Sequence, residues 1–532
     1  MRGPAVAVAV AMAFLLHGQS TWLPLSREVE RPFAGTMQRV GSNAHTAVRP
    51  YRLSDVRALE VNDSANTFSL LPALDRWAGV RNGRSFRWGP LLDAQVLYDI
   101  DSAKSGVGHR AGAGFWLEKD FLDKLSFHVD AQAWSERFPT YLDTLVRATQ
   151  VTPGEGYGFG EAPAYTHYDW NGYMSWDPGK AFNLTVGRGK NSFGEGYRSM
   201  FLSDEAYSYP YLKVTTTVWK IKYVNLFSMM NDIRGADGDV ADFNRKYTSM
   251  HYLSWNAGKR LNVALFESIV WSQGDSLYPR GFDVNYLNPV IFYRPVEFAV
   301  GSPDNALLGG GLNVKVGKQS LIYSQVLLDE FLMREVRAGN GWYANKQALQ
   351  IGVVSRNAFK VTGLLLRAEW NYVRPFMYTH SDTRQNYSHS GQPLAHPYGS
   401  NFQELLLYGE LVDARWRHSL RASMAWLGRD STYSNGNNIF RPESDRFIDA
   451  DGDPQNYGYH VGSPKGGTLL HVEMRSGFLV DPSTGTRIEA SYMLRMRTPD
   501  SGDVAMANVF RLGLVCYFRE RHPEQEVRYV LD

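Results

Sequence analysis

The sequence predicts an all-β protein, a transmembrane β-barrel of about eighteen antiparallel strands with a small N-terminal helical region. Three observations carry this prediction. Apolar and polar side chains alternate in segment after segment. A period of two residues is typical of a β-strand with one apolar and one polar face. Almost no amphipathic helix is present to cover the apolar faces. Lipid can cover them only if the sheet closes, because an open edge in a bilayer leaves backbone groups unpaired at several kcal/mol each.

The alternation is clearest in Arg487–Met496, where every second residue from Ile488 to Met496 is apolar and only Met493 interrupts the polar set between them. The same pattern, with a less regular phase in places, predicts further strands along the chain. These are Leu125–Glu136, Val214–Met229, Tyr247–Trp255, Leu261–Trp271, Asn305–Val316, Ser320–Phe331, Ala348–Val354, Val361–Tyr372 and Val509–Phe518.

Composition agrees with a barrel and excludes several other classes. The 532 residues carry a net charge of +2, which gives no nucleic-acid footprint. The single cysteine, Cys516, excludes a disulfide framework and a cysteine-rich metal site. Mean hydropathy is −0.34, and beyond the N-terminus no run of about 18 apolar residues could form a helical span. Half of each barrel strand is polar, so a membrane barrel keeps such an average.

Residues 1–20 are predicted to be a secretory signal peptide, with Arg2 before the apolar stretch Pro4–Leu16 and small residues at Gly18–Ser20. A membrane anchor is the alternative, but the stretch is shorter than the ~20 residues that a span needs. Residues 21–83 are predicted to be a periplasmic region with short helices at Leu53–Leu59 and Phe68–Trp77, and residues 84–532 to be the barrel. Export and barrel strands together indicate the outer membrane of a Gram-negative bacterium.

Connections of two lengths alternate along the chain. Tyr378–Asn401 and Asp430–Gly467 are long and polar, and Gly154–Ala164 is a glycine-rich loop. Asp177–Lys180 and Asp481–Gly485 are short turns. Long loops on one side and short turns on the other are typical of the extracellular and periplasmic ends of outer-membrane barrels.

An ordered series of segments resembles a known family. The segments are His45–Val56, Gly187–Asp204, Lys246–Trp271, Tyr286–Phe298, Asn305–Gly311, Ile322–Phe331, Glu369–His380 and Leu394–Glu404. Together they resemble the capsule-assembly Wzi family, in its Bacteroidota-type branch, which includes proteins linked to gliding motility. The resemblance implies a monomeric outer-membrane barrel with a periplasmic helical part, whose partners are membrane lipid and capsular or other surface polysaccharide.

The inward strand faces carry many ionisable side chains, and we predict a polar network across the lumen. Its predicted members are Arg367, Glu369, Glu404, Arg417, Arg421, Glu473, Arg475, Glu489, Arg495 and Arg511. Such a network is either structural, with mixed charges pairing across strands, or a binding surface in which arginine forks hold the carboxylates of acidic sugars.

Aromatic and polar loop residues are the candidate ligand contacts, because sugar rings stack on aromatic faces and bond to polar groups. The candidates are Trp342, Tyr343, Tyr378, His380, Tyr387, His396, Tyr398, Tyr433, Tyr457 and Tyr459, with Arg294 and Glu297 from a proline-interrupted segment. Pro289 and Pro295 remove ladder donors in that segment, which indicates an inward-folded stretch that either packs or faces a ligand.

No cofactor, metal or catalytic site is predicted. The spacing of Asp449, Asp451 and Asp453 suits Ca²⁺, but an EF-hand needs Gly at position six and Glu at position twelve, where Pro454 and His460 stand. G-x-S-x-G, P-loop and H-E-x-x-H motifs do not occur. We therefore expect a non-enzymatic protein, and the resemblance to the Wzi family implies that it binds or anchors capsular or other surface polysaccharide. The alternatives are an accessory of gliding motility or surface-protein secretion, or a solute channel.

Overall fold

The structure is a computed structural model, and it describes residues 21–60, 86–121, 124–236, 239–274, 280–290, 304–330, 332–481 and 485–516. The predicted signal peptide, the predicted helix Phe68–Trp77, Arg294, Glu297 and the end of the last predicted strand, Tyr517–Phe518, lie outside these residues. No helix within these ranges is long and apolar enough to cross a membrane.

Eighteen antiparallel strands form one closed barrel, as the sequence predicts. In chain order they are β1 Phe86–Asp101, β2 Ser105–Phe121, β3 Leu125–Arg137, β4 Tyr165–Gly179, β5 Phe182–Gly189, β6 Tyr209–Val218, β7 Ile221–Asp232, β8 Asn244–Trp255, β9 Leu261–Ser272, β10 Asn305–Val316, β11 Ser320–Leu328, β12 Gln347–Arg356, β13 Leu364–Val373, β14 Phe402–Asp413, β15 Trp416–Gly428, β16 Lys465–Asp481, β17 Thr486–Thr498 and β18 Ala505–Cys516. Each strand pairs with its neighbours in the chain, and β18 closes the sheet on β1, with Val515 opposite Asp93.

The connections separate by length between the two ends of the barrel. At one end Trp219–Lys220 and Ala414–Arg415 join successive strands as short turns, and at the other the connections 190–208, 374–401 and 429–464 are long. This asymmetry identifies the periplasmic end by its short turns and the extracellular end by its long loops.

The outer face of the barrel is apolar, as a lipid contact requires. Leu407, Met474, Ile488 and Leu512 are each about half exposed on strands whose intervening residues point inward. Exposed aromatic side chains mark the periplasmic rim: Phe121, Trp176, Phe182, Trp219, Trp255 and Trp416. An apolar belt bounded by an aromatic girdle is the surface of an outer-membrane β-barrel, which places the protein in the outer membrane of a Gram-negative bacterium.

The N-terminal residues fold into the periplasmic end of the lumen. Helix α1, Arg27–Met37, and helix α2, Leu53–Glu60, form this region. The Trp22 indole nitrogen donates to Ser175 and Thr185 inside the wall, at 3.2 and 3.1 Å. The ammonium of Lys213 lies 3.6 Å from the centroid of the Trp22 ring. The region therefore closes part of the periplasmic opening as a plug, and we call residues 21–60 the N-terminal plug.

Extracellular connections also turn inward. Helix α3, Thr140–Thr149, buries Tyr141, Leu142 and Val146 against the wall and ends where Gln150 adopts a positive φ of 55°. Helix α4, Met333–Ala338, lies in the β11–β12 connection. Two-residue strand pairs and short 3-10 turns complete these loops: Val151–Thr152 with Gly156–Tyr157, Ser388–His389 with Gln392–Pro393, and the turns Val240–Asp242, Val284–Leu287, Thr383–Gln385 and Glu443–Asp445. One further 3-10 turn, Ala358–Lys360, lies in the periplasmic β12–β13 connection.

Two predicted elements differ from the structure. Val214–Met229 is not one strand, because it turns at Trp219–Lys220 and contributes to both β6 and β7. Trp219 takes a positive φ of 55° there, a turn that carries no glycine or proline signal. Gly154–Ala164 is not simply a loop, since Gly156–Tyr157 pairs with Val151–Thr152, which follows α3 in the chain.

Candidate functional site

A packed apolar core lies within the barrel where plug and loops meet. Phe193 is fully buried and stacks on Tyr252 of the wall, with ring centroids 4.9 Å apart. Phe201 stacks on Phe266 at the same centroid distance. Ala47 and Val48 of the plug belong to this cluster, as do residues from the three long connections 190–208, 374–401 and 429–464. This part of the lumen is therefore a side-chain core rather than a water-filled channel.

The plug and the β5–β6 connection pair as strands inside the barrel. Val48–Arg49 is antiparallel to Ser192–Phe193, and the amide of Gly194 donates to the carbonyl of Ala47 at 2.8 Å. The ladder satisfies backbone groups that would otherwise be buried without partners. A segment entering from the periplasmic end is thus bonded to one entering from the extracellular end.

Glu369 on β13 holds the β5–β6 connection against the wall. Its carboxylate accepts from the amides of Tyr197 and Arg198, at 2.6 and 3.3 Å, and from the Tyr323 hydroxyl at 2.7 Å. Asn371 donates to the same carboxylate at 3.0 Å. A buried carboxylate with several donors is well compensated, so this group fixes the path of the connection.

The β13–β14 connection covers the core from the extracellular side. The Tyr378 and Tyr387 hydroxyls donate to the carbonyls of Met200 and Phe201, at 3.1 and 2.7 Å. His396 lies 2.8 Å from the carboxylate of Glu404 on β14. Burial lowers the pKa of His396 despite this neighbouring carboxylate, because desolvation disfavours the charged ring.

The predicted ligand contacts separate into three groups by exposure. Tyr457 is exposed, and Trp342, Tyr343 and Tyr433 are half-buried. Six others are buried in the inward loops: Tyr378, His380, Tyr387, His396, Tyr398 and Tyr459. Sequence reasoning placed all of these on solvent-facing loops, because loop composition does not show that a loop folds inward. Tyr457 is thus the predicted contact with the largest share of its surface open to solvent among those that the structure describes.

The predicted lumen residues form several groups of ion pairs and hydrogen bonds, and Asn371 links two of these groups by donating to both Glu369 and Glu404. Glu473 accepts from Arg421 and Arg475, both at 2.8 Å, and Glu489 lies 3.7 Å from Arg475. Arg417 pairs with Glu410 at 2.9 Å. Arg367 and Glu369 hold the β5–β6 connection, Glu404 lies near Arg198 and His396, and Arg495 lies over the Tyr141 ring. Arg511 is half-buried on the inner face of β18.

One buried cluster has the composition of a metal site but holds an arginine. Glu136, Glu155 and His167 bring their ligand atoms within 4.8 Å of one another. The Arg110 guanidinium donates to Glu136 and to Glu155, both at 2.6 Å, and to Asp93 at 2.9 Å. A fixed cation therefore already supplies the positive charge that these carboxylates need.

The extracellular cap is held by contacts between loops. The Arg446 guanidinium lies 3.5 Å from the centroid of the Tyr343 ring, and the amide of Tyr459 donates to the carbonyl of Gly341 at 2.9 Å. Lys346 forms a buried pair with Glu443. These contacts join the β11–β12 connection to the β15–β16 connection.

A groove of about 730 Å³ lies at the extracellular rim, between the start of the β15–β16 connection and the β17–β18 turn. Its polar lining comprises Arg429, Asp430, Ser431, Thr432, Arg497, Ser501 and Asp503. Asp430 is structural, since its carboxylate accepts from the amides of Asn435, Asn437 and Asn438. Arg429 is exposed. Sequence reasoning missed Arg429, because a single arginine at a strand end carries no distinguishing pattern.

Exposed aromatic rings lie on the same connection as the groove. Phe447 is exposed and packs on Tyr433 with ring centroids 5.2 Å apart, and Tyr457 is 49% exposed. Nearby, Asp449 accepts from the amides of Asp451 and Asp453 at 3.0 and 2.9 Å, which closes a local turn. This surface thus combines a polar groove with solvent-exposed aromatic rings.

Comparisons with known proteins return only distant similarities. No family model matches the chain, and no curated protein matches it significantly. The chain is similar to the structure of OccK5 (OpdH) of Pseudomonas aeruginosa, at 8% sequence identity and a TM-score of 0.42, over 80% of this chain and 98% of that chain. For OccAB4 of Acinetobacter baumannii the identity is 7% and the TM-score 0.42, over 81% and 98%. For the outer membrane protein OprD from Pseudomonas aeruginosa they are 10% and 0.41, over 81% and 96%.

Proposed function

We propose that this protein is a non-enzymatic outer-membrane barrel that binds or anchors an acidic capsular or other surface polysaccharide at its extracellular rim. One contrast within the molecule carries the proposal. The lumen is filled by a core to which both the plug and the extracellular loops contribute, whereas the extracellular rim has an open groove and exposed aromatic rings. The resemblance of the sequence to the capsule-assembly Wzi family, in its Bacteroidota-type branch, supports the same function.

The rim has the chemistry that a sugar polymer needs. Arg429 offers a planar guanidinium that suits a sugar carboxylate, and Ser431 and Thr432 beside it are exposed hydroxyl side chains. Tyr457 and Phe447 present ring faces for stacking. A groove of about 730 Å³ is within the size range of small-ligand sites. Weak contacts of this kind add up when one long chain engages many barrels.

The test is performed on cells that carry a deletion of the gene, complemented with wild type or with the double variant Arg429→Glu, Tyr457→Ala. We expect polysaccharide to move from cells to medium in the deletion and in the double variant, at unchanged total production. The control variant is Arg384→Glu, because Arg384 is a partly exposed arginine on a different loop. Unchanged attachment together with lost spreading motility would reject polysaccharide binding and favour a motility accessory.

A second candidate function is a solute channel, and one observation favours it. Arg475, Arg487 and Arg511, on the inner faces of β16, β17 and β18, are only half-buried. A charged wall that keeps solvent contact could line a narrow anion path beside the packed core. Single-channel recording in planar bilayers decides between the two functions. Steady anion-selective conductance in the wild type, reduced by Arg511→Gln, would support the channel, and an electrically silent wild type would reject it.

A further inference from the structure

A second cavity, of about 80 Å³, lies where the N-terminal plug meets the barrel wall near the periplasmic end. Helix α1 and the residues after it form one side, the β5–β6 connection another, and strands β12 to β14 the third. Its charged lining residues are Arg27, Arg31, Arg49, Arg356, Arg367, Glu30, Glu195 and Glu410. Five arginines face three glutamates, so the lining has a formal excess of positive charge.

Most of these charges already have partners. Glu410 pairs with Arg31 of α1 and with Arg417. Arg27 lies 3.6 Å from the centroid of the Tyr197 ring and donates to its carbonyl. Arg49 lies 3.8 Å from Glu30.

Arg356 and Arg367 are different. Arg367 donates to the carbonyl of Glu195 at 2.8 Å, and Arg356 donates to the side-chain oxygen of Gln38. Among the residues that the structure describes, neither guanidinium has a carboxylate within ion-pair distance. Arg356 lies on β12 and Arg367 on the adjacent strand β13. Arg356 is opposite Leu365, which is two positions before Arg367, so the two positive charges are neighbours on the inner face. Two like charges beside a cavity leave an electrostatic demand that an anion would meet.

We propose that this cavity binds a phosphate-class oxyanion that Arg356 and Arg367 neutralise. A water needs about 10–15 Å³ of such space, so a cavity of about 80 Å³ has room for the five heavy atoms of a tetrahedral oxyanion. Guanidinium forks match oxyanion geometry. Because the plug and the wall both line the cavity, the bound anion ties the plug to the barrel.

Glu195 selects among oxyanions. Its carboxylate lines the cavity, and within the described part of the chain its hydrogen-bond donors are the uncharged side chains of Thr46 and Gln38. A carboxylate repels a fully deprotonated anion but accepts a hydrogen bond from a protonated oxygen. Monohydrogen phosphate carries such a proton and sulfate does not. The site therefore prefers phosphate to sulfate.

The experiment is calorimetric titration of the folded full-length protein in detergent, near neutral pH, with sodium phosphate or sodium sulfate against sodium chloride of equal ionic strength. We expect one saturable phosphate site, weakened about tenfold or more in R356Q and in R367Q, since each removes a charged hydrogen-bond donor. R384Q is the matched control on a distant loop. Wild-type heats that depend only on ionic strength, or phosphate binding that survives both variants, would overturn the proposal and leave a water-filled cavity.

A gain of binding separates the site from a folding defect. E195Q removes the repelling carboxylate, so sulfate should bind about tenfold more tightly than to wild type. Misfolding cannot produce tighter binding, and heat-modifiable migration in gels confirms that each variant is a folded barrel. Unchanged sulfate affinity in E195Q would show that the anion does not lie in this cavity.

Discussion

Val48 of the N-terminal plug pairs with Phe193 of the β5–β6 connection, in an antiparallel ladder enclosed by the barrel wall. The two residues enter the lumen from opposite ends of the molecule, and the amide of Gly194 continues the ladder to Ala47. Disturbing either segment therefore removes backbone partners from the other. We therefore expect the plug and the extracellular side to be coupled through this contact.

Phe193→Ala should loosen the plug without preventing barrel closure. Phe193 is fully buried against Tyr252 and Phe266, so truncation creates a cavity and should cost about 3–5 kcal/mol. We expect faster protease cleavage within residues 21–60 in detergent, measured by mass spectrometry, while heat-modifiable migration is retained. Phe359→Ala is the control, since Phe359 is 87% exposed on a periplasmic turn. Equal cleavage rates in both variants would contradict the coupling.

Glu30 should make plug docking depend on pH. Burial raises the pKa of Glu30 from 4.5 to about 7. The positive charges of Arg49, at 3.8 Å, and Arg27 lower this pKa, and the negative charges of Asp204 and Glu195 raise it, but burial is the largest effect. Because the folded protein binds the Glu30 proton more tightly than the unfolded chain does, protonation of Glu30 stabilises the folded protein. This stabilisation is complete below about pH 4.5 and is lost as the pH rises through about 7. Glu30→Gln should match wild type at low pH and exceed its stability above neutral pH by about 3 kcal/mol.

The measurement is the difference in unfolding free energy between wild type and Glu30→Gln across that pH range. Glu161→Gln, on an exposed loop, serves as the control substitution and should not reproduce the gain in stability of Glu30→Gln. Parallel wild-type and Glu30→Gln profiles would show that Glu30 is not buried with the raised pKa.

Glu369→Ala should release the β5–β6 connection. The change removes the carboxylate that accepts hydrogen bonds from the Tyr197 and Arg198 amides and from the Tyr323 hydroxyl. Because these buried donors lose their acceptor, the free energy of unfolding should fall by about 3–5 kcal/mol. Glu369→Gln keeps one oxygen acceptor and should cost less than half as much. Hydrogen exchange at the Tyr197 and Arg198 amides checks this order directly. Equal protection in wild type and Glu369→Ala would show that the carboxylate does not hold the connection.

Arg429→Glu should weaken binding of purified protein to an acidic polysaccharide about tenfold at low salt, with the difference shrinking as salt rises, because exposed charges are screened. Arg429→Gln should have a smaller effect in the same direction. Immobilised polysaccharide and surface plasmon resonance provide the measurement. A neutral polysaccharide is the matched control, and an equal loss on both polymers would assign the effect to structure rather than charge.

The helix α3 shows what local reasoning overlooked. Pro139 precedes Thr140, and Tyr141, Leu142, Leu145 and Val146 place apolar side chains on one helical face. Asp143 and Arg147 pair at 2.7 Å one turn apart. These signals were present in the sequence, and the surrounding alternation of period two obscured them.

The alternation and loop lengths along the chain are enough to predict the barrel, its strand faces and its two ends. Alternation fixes which side chain meets lipid and which meets the lumen, as Ile488 and Glu489 illustrate, because neighbouring residues in a strand point to opposite faces. Three features emerge only in the folded chain: the lumen is packed, Tyr378 and Tyr387 lie inside it, and Arg356 and Arg367 share a cavity. Those facts depend on contacts such as Tyr387 with Phe201, between residues far apart in the chain. A polar loop folds inward only if residues in the lumen offer it hydrogen-bond and packing partners. Those partners are distant in the sequence, so no local pattern encodes them.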